Sequence, residues 1–404
     1  MAKKNKLMIF ILTVGVFGIL NTEMGVIGLL PAIAEHFHVS ISAAGWTVSL
    51  FALAIAVSGP TMPLLLSGLN RKKVMILVLS VFVAGNIASV FAANFTFLLI
   101  IRIVLALFHP VYCSIAFTAA ASSVRPEEAP KAVSKVFIGI SAGMVAGVPI
   151  ASFINNAVSY EMAMAFFAFV NIIVLAATLI FLPSMPVKEK QSYGEQLAVL
   201  KKPVLWISIT AVILLNASVF GVYSYIAEYL ESVTNMSSNI ISVTLFVFGG
   251  ANMLGNIAAG RMLTKNPMRS VTLFPLLLGA VYILVFFAGA SLIPMLLLTF
   301  LWGLLAGGIM ANINQYLISS SAPEAPDFAN GLFISACNVG TTAGSAAGGF
   351  FIAQMGISSV ILAGLVSVIL SLAVLLLRNK KYFPAEQGKK QLEAVTNSNS
   401  HMLK

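Results

Sequence analysis

The apolar residues of this chain come in long, unbroken runs separated by short polar breaks, and that pattern leaves few folds open. Crossing a bilayer as a helix takes about 20 predominantly apolar residues. Reading the runs between breaks gives twelve helical spans, at roughly 7–33, 44–67, 74–93, 97–123, 133–156, 162–184, 204–228, 238–260, 270–290, 293–319, 330–354 and 357–377. The runs are continuous rather than alternating, which excludes a transmembrane β-barrel. Composition agrees: of 404 residues, 59% are hydrophobic and only 9% charged, where soluble domains carry about 25% charged residues. The expected fold is therefore an all-α membrane protein with twelve transmembrane helices.

A net charge of +10 raises the question of a nucleic-acid partner, and the placement of the basic residues answers it. With the N-terminus in the cytoplasm, all basic residues but one fall in cytoplasmic segments, among them Arg71, Lys72, Lys73, Arg125, Lys131, Lys202, Arg261, Lys265 and Arg269. The exception, Arg102, lies within a span. The outward loops carry acids only: Glu35, Glu161, Glu228 and Glu231. This is the positive-inside pattern, so the charge reports topology, with both termini cytoplasmic and no nucleic acid involved. The chain is expected in the cytoplasmic membrane as a multi-pass protein. The Lys-rich, then apolar N-terminus lacks a small-residue cleavage site and reads as a retained first span. Cys113 and Cys337 both fall in spans, which leaves no disulfide framework.

Sliding the second half onto the first aligns three separated pieces at one offset: Ser122, Ser123, Pro126 and Glu127 with Ser319, Ser320, Pro323 and Glu324; Gly143 and Gly147 with Gly340 and Gly344; Ser67 and Lys72 with Thr264 and Arg269. Two parallel six-helix repeats follow. The expected organisation is a first bundle at 1–185, a cytoplasmic linker at 186–203, a second bundle at 204–377 and a cytoplasmic tail at 378–404, too polar to bury anything and read as disordered. Parallel repeats about an axis along the membrane normal are the layout of transporters that hold a ligand near the midplane between the halves.

Within the spans, Glu23 is the one acid well inside hydrocarbon, about 15 Å deep at about 1.5 Å per residue. An ionised carboxylate there is costly, so it should face a cavity or a cation, or take up a proton. Arg102 sits at a comparable depth in span four and always carries charge. Arg102, Leu105, His109 and Tyr112 follow helical spacing on one stripe. With an unperturbed pKa of about 6.5, His109 suits proton handling, or it bonds a neighbouring helix. Asn216, Tyr223 and Tyr225 in span seven, Trp302 and Asn312 in span ten, and Asn338 in span eleven read either as the lining of a site for a neutral or weakly polar organic ligand or as glue between helices. Gly139, Gly143 and Gly147 recur every fourth residue and end at Pro149, a strip where another helix can approach closely; Gly340, Gly344 and Gly348 repeat it. Gly139-x-Ser141-x-Gly143 also spells a hydrolase nucleophile elbow, but that motif needs a strand and a sharp turn. No P-loop and no zinc-protease motif occurs, and the only aspartate, Asp327, falls in a cytoplasmic loop. No enzyme activity, metal or cofactor is expected.

The stretch Thr22-Glu23-Met24 through Gly28-Leu29-Leu30-Pro31 to Ile33 resembles the opening of bacterial sugar-, purine- and chloramphenicol-efflux permeases, in the drug:proton antiporter-1 group of the major facilitator superfamily. Further matches are Gly59-Pro60, Arg102 with Ala106 and His109, Gly147-Val148-Pro149, Tyr223-Ser224-Tyr225-Ile226 and Asn338-Val339-Gly340. The resemblance implies that Arg102 is the family's span-four arginine, that Gly143, Gly147 and Pro149 belong to its antiporter motif, and that the chain exports a small organic molecule against inward proton flow. The family's cytoplasmic loop aligns with Pro63, Ser67, Gly68, Asn70, Arg71 and Lys72, without its aspartate, so this chain departs from the family's charge latch. The expectation is a monomeric exporter powered by the proton gradient alone, with Glu23, Arg102 and His109 handling the proton and Tyr112, Asn216, Tyr223, Tyr225, Trp302, Asn312 and Asn338 lining the substrate site. Uptake by facilitation or symport, and a receptor on the same fold, remain alternatives.

Overall fold

The computed structural model describes residues 3–187 and 192–402 and is helical throughout, with no strand among the described residues. The long helices of the first half are α1 Lys3–Gly25, α2 Trp46–Leu66, α3 Arg71–Val90, α4 Phe95–Ser122, α5 Ala129–Ala157 and α6 Tyr160–Phe181. Those of the second are α7 Pro203–Tyr223, α8 Ser238–Lys265, α9 Pro267–Ala288, α10, α11 Pro326–Met355 and α12 Val360–Met402. The helix α10 is composite: Leu292–Trp302 and Met310–Ser321 are joined by π-helical turns at Gly303–Ile309. Eleven helical stretches are long and apolar enough to cross a membrane. The remaining long helix, α11, has 30 residues, and the polar and small residues from Asn338 to Ser345 dilute its apolarity. The last helix continues through the polar tail, read from sequence as disordered, to Met402.

Side-chain caps set several helix starts. Asn70, Asn94, Ser159 and Asn266 each accept a backbone N–H from the first turn of α3, α4, α6 and α9. Prolines inside helices remove one N–H and orphan the carbonyl four residues earlier. Pro110 thus frees the Ala106 carbonyl, to which Ser58 Oγ of α2 donates at 3.3 Å. Pro60 frees the Ala56 carbonyl, to which Ser335 Oγ of α11 donates at 2.5 Å.

The repeat seen in the sequence is carried by the packing. The helix α1 lies on α5 and α6; its counterpart α7 lies on α11 and α12. A Cβ at Gly139 would sit 2.1 Å from the Thr13 carbonyl oxygen, and one at Gly340 would sit 2.5 Å from that of Ile213. Both glycine strips therefore exist to seat the first helix of their half. Both first helices also break near their ends. After Gly25 the chain tightens into a 3-10 turn, Val26–Leu29, before a short helix at Leu30–His36; after Tyr223 a turn leads to Ile226–Ser232.

The halves meet along two equivalent seams, α2 against α11 and α8 against α5. Arg71, Lys131, Lys202 and Arg261 gather at one end of the bundle, the basic end. There Arg71 Nη2 lies 3.0 Å from Asp327 Oδ2 across the first seam. Asp327 is not in a loop, as the sequence suggested, but in the first turn of α11 and buried. Ser114 Oγ donates to its carbonyl at 2.5 Å, and Asn330 Nδ2 donates to Thr118 Oγ1 at 3.1 Å. In the other seam Ser141 Oγ donates to Asn252 Oδ1 at 2.8 Å and accepts from Asn256 Nδ2 at 2.7 Å. Farther from the basic end the face of α11 that carries Gly331 and Ser335 continues through Val339, Thr342 and Ala346, all exposed, and the facing side of α2 continues through Leu53 and Ser49, also exposed. Along this seam the halves are joined toward the basic end, and the two facing surfaces are uncovered toward the other. The linker closes over the basic end, with Gln196 Nε2 donating to Ser67 Oγ at 2.8 Å and Tyr193 Oη to the Leu65 carbonyl at 3.3 Å.

Candidate functional site

Of the ionisable groups expected inside the membrane, three converge in the first half. Glu23 Oε2 and His109 Nε2 are 2.9 Å apart, with side chains only 13% and 7% exposed. A carboxylate and an imidazole so far from water can share one proton, since the charged state of either is sustained by the other. Cys113 Sγ lies 3.9 Å from the same nitrogen, one turn along α4.

Arg102 lies within electrostatic reach of Glu23 and also holds backbone. Its guanidinium donates to three carbonyl oxygens: Thr22 at 2.8 Å, Glu23 at 3.3 Å and Thr47 at 3.2 Å. The last four carbonyls of an α-helix have no partner within it, and Thr22 and Glu23 fall in the last turn of α1, just before the break. Arg102 therefore staples the end of α1 to the start of α2, while the side chain in direct contact with the carboxylate is His109. Phe51 of α2 completes the wall, 4.2 Å beneath the guanidinium and edge-on to the imidazole at 6.2 Å.

Of the residues expected to line a substrate site, Tyr223 and Trp302 meet edge to face with centroids 6.2 Å apart, and the others are spread over both halves. Tyr112 is fully buried in the first half, its hydroxyl pressed where a Cβ on Gly15 would be. Asn216 ties α7 to α11 through the Cys337 carbonyl and Thr341 Oγ1, at 2.5 and 2.8 Å. Trp302 Nε1 donates to Tyr282 Oη at 3.2 Å, and Tyr225 Oη to the Ser345 carbonyl at 2.9 Å. Asn312 Nδ2 donates to Asn256 Oδ1 at 2.7 Å and so joins the α5–α8 seam. Asn338 bonds its own helix at Ile334 and stays half-buried. Tyr223, also half-buried, stacks on Phe248 with centroids 5.0 Å apart. Tyr223, Tyr225 and Asn338 are half-buried and keep an accessible surface, while Tyr112, Asn216, Trp302 and Asn312 are buried in packing. Lys72 Nζ bonds the Leu179 carbonyl at 2.9 Å within the first half, whereas Arg71 reaches the second. Pro149 is exposed on α5, beyond the glycines that press on α1.

A cavity of about 620 Å³ opens at the basic end instead, lined by Arg71, Ser122, Met185, Gln196, Glu324 and Asp327. Sequence reasoning missed Asn86 and Asn171, single amides in α3 and α6 that turn out to face α1. Their only signal was a lone polar residue within an apolar run.

Two repeated helical bundles that meet along two seams, with ionisable groups buried within them, have the layout of a multi-pass membrane transporter. The profile of the Major Facilitator Superfamily matches residues 12–326, and the chain belongs to that superfamily. It is 29% identical over 390 residues to the inner membrane transport protein YdhP of Escherichia coli (strain K12), covering 96% of this chain and 98% of that one. It is 26% identical over 362 residues to a probable sugar efflux transporter of Pasteurella multocida, covering 90% and 89%. Among solved structures, the human organic anion transporter MFSD10 superposes with a TM-score of 0.77 at 16% identity, over 92% of this chain and 99% of that one. FucP in its outward conformation gives 0.74 at 14%, over 93% and 99%. The protein is a small-molecule transporter of the cytoplasmic membrane.

Proposed function

We propose that the protein is a proton-coupled exporter of a small organic molecule, working as a monomer with twelve spans and both termini in the cytoplasm. The observation that carries this reading is the buried Glu23–His109 contact of 2.9 Å in one half only. The repeat places Phe220 and Ala306 at the corresponding positions of the second half, so no second acid serves the same purpose. The pair takes its proton from outside, a direction supported by the uncovered α2–α11 seam on the side away from the basic end. When the halves rock and the seam at Arg71 and Asp327 opens, the proton leaves toward the cytoplasm. Coupling requires that proton and substrate favour opposite-facing states, because a ligand indifferent to the two shifts nothing. Export is supported by the sugar efflux relative and by the resemblance in the first span; its substrates are drugs, sugars or nucleobases.

The test begins with a susceptibility and metabolite-export screen of a knockout against an overexpressor, to find a transported compound. In proteoliposomes with an imposed pH gradient, that compound should move against the proton's direction, and Glu23→Gln should abolish the driven flux while leaving the fold intact. Undiminished pH-driven flux in Glu23→Gln would remove Glu23 from the mechanism, and flux in the proton's direction would make the protein a symporter.

A further inference from the structure

The proton pair depends on how one turn of α1 is held. That turn lies immediately before the break at Val26–Leu29, where the helix's own hydrogen-bond ladder lapses and restrains rotation least. The Thr22 hydroxyl there has every valence filled: it donates to the Gly18 carbonyl at 3.3 Å and accepts from Asn86 Nδ2 at 3.1 Å and Asn171 Nδ2 at 2.9 Å. A hydroxyl has one proton and two lone pairs, so nothing is left over. Asn171 Nδ2 is itself oriented by the Phe167 carbonyl at 2.9 Å. The Thr22 carbonyl takes Arg102 from the opposite direction. Three helices, α3, α4 and α6, therefore grip a single residue of α1, and all the gripping side chains are buried. The next residue is Glu23.

We propose that Asn86 and Asn171 are positioning residues for proton coupling: through Thr22 they fix the rotation of α1 that keeps the Glu23 carboxylate against His109. Neither amide touches the carboxylate, so each acts through Thr22. This rests on the proton-coupled reading above. The titratable and charged groups around the carboxylate are His109 and Arg102 of α4, with Cys113 behind the imidazole and Tyr160 of α6 within electrostatic reach of Arg102; α2 presents Phe51, which does not titrate.

The test needs no substrate, because the proton is the probe. Infrared spectra of the purified protein in lipid, recorded across a pH series, report the protonated carboxyl band of Glu23, assigned by its disappearance in Glu23→Gln. Thr22→Val should move the midpoint of that band by about half a pH unit or more, a threefold change in proton activity, and Thr22→Ser, which keeps the hydroxyl, should restore it. Asn86→Leu and Asn171→Leu should each shift the midpoint in the same direction as Thr22→Val, and they carry the test if Thr22→Val fails to fold. Midpoints equal to wild type in the folded variants overturn the positioning role. No titrating band in the wild type that Glu23→Gln removes overturns the proton-coupled reading instead.

Discussion

Arg102 shows how far a single residue can be read before its neighbours are known. A permanent charge inside a span advertises itself in any apolar sequence, and so do Glu23 and His109. What the one-dimensional pattern carries only faintly is that α1 breaks just past Glu23: Gly25, Gly28 and Pro31 stand there, but both residue types are common in membrane helices that run on unbroken. The break is what creates carbonyls for Arg102 to hold. The planar fork, which reaches three separate oxygens, is therefore the property in use, and charge alone should not suffice. Arg102→Lys keeps the charge but concentrates its donors at one point. Hydrogen bonds from charged donors contribute about 1.5–3 kcal/mol each. The variant should lose about 2 kcal/mol or more of stability, read as a lower unfolding midpoint in detergent, and at least about tenfold in transport. Wild-type behaviour in both assays would mean that the staple is dispensable.

At the scale of elements, the glycine strips were visible from spacing, whereas their partners were not, since any of eleven other helices could have filled the groove. The structure assigns them to α1 and α7. A methyl at Gly139 would stand 2.1 Å from a backbone oxygen, while one at Gly250 would meet nothing within 4 Å. Overpacking against backbone costs about 1–3 kcal/mol, and an open site about 0.5 kcal/mol at most. Gly139→Ala should therefore lower thermal stability in detergent measurably and Gly250→Ala should not; equal stabilities would show that α1 can retreat from α5 at no cost. The π turns of α10 were beyond sequence reasoning for a related reason. They coincide with close approach to a neighbour: Gly303 lies against the Phe248 carbonyl and Gly308 against that of Asn252. Helical periodicity contains no information about that.

Seen as one molecule, the protein was most legible in its coarse plan. Duplication and the gathering of Lys and Arg at one end leave marks that survive without coordinates, and apolar runs mark eleven helices among the described residues as able to cross a membrane. The joint between halves leaves none, because its residues are ordinary in composition and its hydrogen-bonded pairs are separated by 111 to 279 positions. Asp327 is the clearest case, an unremarkable loop acid by sequence and, in space, the partner of Arg71 at 3.0 Å. This pair supplies across the seam the acid that the loop after α2 lacks. Arg71→Asp should weaken the joint and raise cysteine-reagent access to positions introduced at the basic end, and Arg71→Asp combined with Asp327→Arg should return access toward wild type by at least half. A double variant no better than the single one would show that the two side chains do not act on each other.

The carbonyl of Ala56 imposes one more condition on the cycle. While the halves are joined it has Ser335; once α2 and α11 part, the position that would replace that donor from its own helix is Pro60, which has no hydrogen to give. An oxygen left bare in hydrocarbon is untenable. In the cycle proposed above, water must therefore reach the bundle at mid-depth as the joint opens, and the arrival of that solvent becomes a gate in time as well as in space.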